Sequence, residues 1–105
     1  MTLENMTRES FAENLNTKFS LLVESGEPLE IELVEASEAM RVGASERFSI
    51  IFRGAGNFFL QQGSYHLEHE RLGALDIFIV PIAREQDGFR YEAVFNRLVG
   101  EAARG

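Results

Sequence analysis

The chain has 105 residues, 45% of them hydrophobic and 26% charged, with a net charge of −7, two histidines and no cysteine. That is the length of one domain, with enough apolar content for a packed core. Disulfides, thiolate metal sites and cysteine nucleophiles are excluded, and an acidic chain without a Lys/Arg cluster argues against nucleic acid and membrane as partners.

Met1 to Glu13 is polar and acidic, without the basic start and apolar run of a signal peptide. The longest apolar run, Ile77 to Ala83, is far shorter than the roughly 20 residues a membrane-crossing helix needs. A cytoplasmic protein is the expectation. Residues 7–16 read as a short helix: Thr7 caps its first turn, Glu9 complements its positive end, and Phe11 and Leu15, four apart, form one apolar stripe. So short a helix must dock on something else, and Asn14 and Asn16 are natural terminators.

From Lys18 the apolar period changes to two, placing Phe19, Leu21 and Val23 inward. Ser25-Gly26-Glu27-Pro28 is a turn cluster. Leu29, Ile31 and Leu33 alternate cleanly, then Val34 and Ala36 fall out of phase, which predicts a β-bulge. Residues 37–46 are polar, contain Gly43 and read as a loop. Phe48, Ile50 and Phe52 form the next inward face, with Arg47, Ser49, Ile51 and Arg53 opposed to it. Gly54 to Asn57 breaks that strand, and the adjacent Phe58 and Phe59 are expected to plug an open end of the core. Tyr65, Leu67 and His69 alternate inward, Leu72-Gly73 turns, and Ala74 to Ile82 is the most apolar strand, expected to end at Pro81. Asp87-Gly88 reads as a hairpin turn with Gly88 at positive φ, followed by Phe89, Tyr91, Ala93 and Phe95 facing inward.

The pattern predicts an all-β, mainly antiparallel fold: a six-stranded meander rolled into a small barrel or half-barrel, with one short N-terminal helix. Residues 1–96 form the single domain and residues 97–105 a tail.

Catalytic signals are weak. His66 and His69 differ by three in a strand, so they point to opposite faces and cannot share a metal; one is expected at a rim and one on the surface. The series Glu24, Glu27, Glu30, Glu32, Glu35 and Glu38 has strand-like spacing rather than that of a calcium loop, and reads as a solvated face protecting an edge strand. No Gly-x-Ser-x-Gly elbow is present, and Arg53-Gly-Ala-Gly-Asn57 lacks the third glycine of a phosphate-binding loop. No catalytic, cofactor or metal residue is assigned, and the chain is expected to be non-enzymatic. One strand stands apart: Leu75, Ile77 and Ile79 make one apolar face, yet Phe78, Val80 and Ile82 make the other apolar too. Either the helix covers that second face or Phe78, Val80 and Ile51 form a partner-binding patch.

Several blocks carry a family resemblance: Met1 to Phe11, Phe48-Ser-Ile-Ile-Phe-Arg-Gly54, Gln62-Gly-Ser-Tyr-His-Leu-Glu-His69, Leu72-Gly-Ala-Leu-Asp76, Val80-Pro-Ile82 and Asp87-Gly-Phe-Arg-Tyr-Glu-Ala-Val-Phe-Asn96. Together they resemble short bacterial proteins of the domain-of-unknown-function family 6916, over nearly the whole chain to Asn96. The resemblance implies companions of phage-tail-collar-like proteins, and so a part in building or serving a fibre, without an assigned activity. The expected role is a protein–protein interaction module whose partner is a tail-collar-like fibre protein or a second copy of the chain, in the cytoplasm or incorporated into an extracellular tail-like assembly. The alternative is a small-molecule or lipid-binding barrel, which requires an interior that side chains leave unfilled.

Overall fold

Alternation of apolar and polar residues gives most of this chain only one way to hide its side chains, as strands that bury every second residue. The computed structural model describes residues 7–23 and 26–98. Glu24 of the acidic series, Ser25 of the turn cluster and residues 99–105 of the expected tail lie outside the described residues. The elements are α1 (Arg8–Ala12), β1 (Lys18–Leu22), β2 (Leu29–Ala36), β3 (Met40–Val42), β4 (Ser45–Ala55), β5 (Gly63–His69), β6 (Gly73–Glu85) and β7 (Gly88–Leu98). No helix among the described residues is long and apolar enough to cross a membrane.

All strand pairs are antiparallel, and six strands close a barrel in the order β1-β2-β4-β7-β6-β5, with β5 returning to β1. Only β5 through β7 form a meander; β4 crosses to lie between β2 and β7. Closure removes the open edges of those six strands. The acidic strand β2 is therefore not an edge: it pairs with β1 on one side and β4 on the other. Its outward glutamates meet cations, Glu30 with Lys18 at 3.5 Å and Glu35 with Arg90 at 3.1 Å.

The inward faces read from the sequence are the observed core. Phe19, Leu21, Ile31, Leu33, Ile50, Phe52, Leu67, Ile77, Ile79 and Tyr91 are all but fully buried. The expected bulge is present: the β2–β4 register slips between Leu33 and Glu35.

The helix covers five residues rather than ten, because residues 13–16 form turns and Asn16 takes a left-handed conformation, φ 66°. Asparagine tolerates that region better than most residues. Thr7 Oγ1 accepts from the Ser10 amide at 3.2 Å, and the Ser10 hydroxyl answers to the Thr7 amide, a capping box. The helix closes one end of the barrel. Phe11 is fully buried and stacks on Phe95 with ring centres 5.3 Å apart, while Phe48 lies 5.1 Å from Phe95. Arg8 reaches over to the carbonyls of Ser37, at 2.7 Å, and Ala36.

Four local expectations are corrected. The stretch 37–46 holds a hairpin: β3 and the start of β4 pair around Gly43-Ala44. Gly43 has φ 61° and Ala44 does not share the positive sign, the type II′ pattern that suits a two-residue hairpin. Pro81 does not end its strand. β6 runs on to Glu85, and the β6–β7 register shifts between Pro81 and Ala83, so the residue lacking an N–H sits at a bulge. Gly88 is not at positive φ. The turn is Gln86-Asp87, and Gly88 stands in the β4–β7 ladder opposite Ala55, where a Cβ would run into the carbonyl oxygen of Gly54. β7 continues through Leu98, two residues into the stretch read as tail.

The loop after β4 closes the other end. Leu60 is buried and Phe58 is half-buried against the core. The buried Leu60 amide donates to the Tyr91 hydroxyl at 3.1 Å. Phe59 departs from the expected plug: it is exposed and sits edge-on to Phe89.

Candidate functional site

Histidines are the natural place to look for chemistry, and each has a structural explanation. His69 is buried at the end of β5 beside Phe19, with ring centres 4.3 Å apart. Its Nδ1 accepts from the amides of Arg71 (3.0 Å) and Leu72 (3.1 Å), so its hydrogen lies on Nε2 and is donated to Thr17 Oγ1 at 2.8 Å. Thr17 in turn donates to the Asn14 carbonyl at 2.6 Å, Asn14 Nδ2 donates to the Ser10 carbonyl, and Arg71 donates to Asn14 Oδ1. The chain of bonds ties α1 to the β5–β6 turn and holds the ring neutral. Burial, and then Arg71, push the His69 pKa below its ordinary value. His66 points outward, as its phase requires. Its Nδ1 lies 2.9 Å from Asp76 and its Nε2 3.4 Å from Glu68. The hydrogen bond to Asp76 is the main cause of a raised pKa.

The outer wall carries more information. It is best followed along the β4–β7 ribbon, whose eleven-pair ladder runs from Ser45↔Leu98 to Ala55↔Gly88. Opposed residues share a face, so the outward residues of β4 (Arg47, Ser49, Ile51, Arg53) meet those of β7 (Asn96, Val94, Glu92, Arg90). The half nearest the Gln86-Asp87 turn is charged. Arg53 pairs with Glu85 and Asp87, both at 3.4 Å, and Arg90 with Glu85 and Glu35. The other half is mixed: Arg47, Ser49 and Asn96 face outward beside exposed apolar side chains. Val94 is 49% exposed and Phe78 on β6 53%, while β3 presents Met40 at 63% and Val42 at 65%. A groove of about 500 Å³ runs between β3 and β7, with Met40 and Glu38 on one side, Val94 and Glu92 on the other, and Arg47 and Ser49 between them.

The three residues singled out from the sequence are placed unequally. Phe78 is exposed. Val80 and Ile51 are half-buried, and the register puts Glu92 between them, since Val80 and Ile51 both pair with it. They do not form one continuous apolar patch. The helix does not cover them; it closes the barrel end, packing on β4 and β7 through Phe48 and Phe95. Val94, Met40 and Val42 were missed as site residues. Val94 carries a readable signal, an outward valine in an alternating strand. Met40 and Val42 carry only their spacing of two inside a stretch that reads as loop.

Fold and surface together define a small closed antiparallel barrel with a filled interior, plugged at both ends, with several exposed apolar side chains on its outer wall. Residues 6–95 match the family described as Domain of unknown function (DUF6916), and the chain belongs to that family. No curated protein and no solved structure matches it.

Proposed function

We propose that the barrel is a non-enzymatic protein-interaction module and that its partner is a tail-collar-like fibre protein, met in the cytoplasm or within an extracellular tail-like assembly. The observation behind this reading is the exposure of Phe78, Val94, Met40 and Val42, of which Met40 and Val94 line the β3–β7 groove. Clustered exposed apolar side chains with a polar rim characterise protein contact surfaces. Here Glu38 and Glu92 flank the groove and Arg47 lies between Met40 and Val94. The partner itself comes from the family resemblance.

Among the described residues, packed side chains occupy the interior that the small-molecule or lipid alternative requires. Tyr91, Phe19, Phe52, Ile50, Leu67 and Ile79 meet at the barrel axis, all but fully buried. A ligand would have to occupy an open outer cleft, such as the one of about 440 Å³ beside Leu29, Arg53 and Phe58. That cleft is crossed by the Lys18–Glu30 pair and bordered by the Arg53–Asp87 pair, surroundings that suit neither a lipid tail nor an apolar small molecule.

Co-expression with a tail-collar-like protein tests the proposal. A complex that co-elutes from a sizing column at both low and moderate salt is expected, because its centre is apolar. Separate elution under both conditions contradicts the reading.

A further inference from the structure

Six strands of this fold have neighbours on both sides; among the described residues β3 has one, β4. The chain covers the rest of that side with care. Leu33 exchanges backbone hydrogen bonds with Thr17 and Asn16, at 3.0 and 2.6 Å. The carbonyls of Ala36 and Ser37 are taken by Arg8, and Ser37 bridges to Ser49 through both its amide (2.8 Å) and its hydroxyl (2.9 Å). Among the described residues the covering then stops, and no strand pairs with the outer side of Met40-Arg41-Val42.

The hairpin geometry says which groups that edge presents. With a two-residue turn at Gly43-Ala44, the flanking pair Val42↔Ser45 is hydrogen-bonded, and bonding alternates along the ladder. Met40↔Arg47 is then bonded as well, and Arg41↔Glu46 is the pair whose β3 member turns its N–H and C=O outward. The side chains complete the pattern. Met40 and Val42 lie on the outer face with Arg47, and Met40 borders the groove described above. Arg41 lies on the opposite face, and no carboxylate among the described residues forms an ion pair with it.

We infer that β3 receives an extended strand of the partner protein by β-addition, a strand with apolar residues opposite Met40 and Val42 and a carboxylate opposite Arg41. This rests on the protein-interaction reading and deepens it by naming the mode and the chemistry of the partner segment. Main-chain bonds to Arg41 give the strand its register, the alternate apolar side chains pack beside Met40 and Val42, and Arg41 supplies the charge preference. A second copy of the chain is a poor occupant. Antiparallel pairing of two β3 strands about a two-fold axis sets Arg41 against its own copy, and like charges directly opposed are destabilising.

The test uses the full chain labelled with ¹⁵N and a capped synthetic peptide, Thr-Val-Glu-Val-Thr, alongside the same peptide with lysine in place of glutamate. Saturable shifts at β3 with the Arg41 amide slowed in hydrogen exchange are expected, with binding of the lysine peptide weaker by about tenfold. The variant R41P removes the outward N–H without touching a β3–β4 hydrogen bond. It should keep the thermal transition and the NMR dispersion of the parent and lose the peptide response. Shifts confined to Phe78 and Val94 overturn strand addition while leaving the interaction surface in place. Equal binding of the two peptides, no response of Arg41, or concentration-dependent protection of Arg41 without peptide also overturns it, the last by naming a second copy as occupant.

Discussion

The two halves of the β4–β7 ribbon are built from the same two strands and the same ladder, yet their outer faces differ. In the half made of residues 50–55 and 88–92, the barrel closes through β2 and β6, and Arg53 and Arg90 are held among Glu35, Glu85 and Asp87. In the half made of residues 45–49 and 93–98, neither β2 nor β6 continues the ladder, β3 takes one side, and Val94 and Met40 stand in solvent. Inward, both halves are sealed, one by Tyr91 and Phe52, the other by Phe11 over Phe48 and Phe95. Burial therefore does not distinguish them. What distinguishes them is the outward chemistry: one half holds Arg53 and Arg90 in ion pairs, and the other sets exposed Val94 and Met40 beside Arg47, Ser49 and Asn96.

Removing the cover from the second half should have the largest effect on stability. F11A takes a fully buried ring out of a three-phenylalanine stack. It should cost about 3–5 kcal/mol in denaturant unfolding, the usual range for truncating a core phenylalanine. The first half breaks by a different route. G88A forces a Cβ onto the Gly54 carbonyl, a backbone atom that cannot rotate away. The β4–β7 ladder must spread there, at a cost of about 3 kcal/mol on the same curves. Y91F is milder. It leaves the packing but strands the buried Leu60 amide that donates to the tyrosine hydroxyl, which should cost about 1–3 kcal/mol.

How much of this contrast could be read from the sequence depends on how local its cause is. The inward faces were legible because alternation is a property of neighbouring residues, as in Phe48-Ser-Ile-Ile-Phe52 or Leu75 to Ile79. So were the Thr7 cap and the slip after Leu33. The reason Gly88 must be glycine was not legible, because it is the carbonyl of Gly54, thirty-four residues earlier. Pro81 misled because its tolerance depends on a bulge against β7. Met40-Arg41-Val42 is too short to show a period and is exposed on both sides, so it looks like loop. For the surface, Phe78 was legible as an apolar residue on the second face of an apolar strand. That Val80 and Ile51 are parted by Glu92, and that Val94 and Met40 face one groove, are consequences of register between strands distant in sequence.

The smallest expected effect is on the anchoring of α1 and is pH-dependent. His69 is held neutral by two backbone donors at Nδ1, and its pKa is lowered in the folded protein. Its contribution to stability is therefore complete above the ordinary histidine value near 6.5 and falls as pH drops below that, because the unfolded chain takes up the proton first. His66 runs in the opposite sense. Its raised pKa gives a contribution present below about 6.5 and lost as pH rises through the folded value. In an H66A background the thermal midpoint should fall between about pH 7.5 and about pH 5.5. In an H66A/H69Q background that slope should flatten.

The contrast between the two halves is tested most directly by one pair of variants followed through both fold and complex. F78D/V94D places carboxylates at two exposed apolar positions of the outer wall, so unfolding should change by no more than about 2 kcal/mol in total. R90A disrupts the charged wall at the other end of the same ladder. Each is co-expressed with the proposed tail-collar-like partner and run on a sizing column beside the parent chain. R90A should keep the complex, while F78D/V94D, folded and monomeric, should elute apart from the proposed partner. A complex that survives F78D/V94D and is lost with R90A would contradict the contrast.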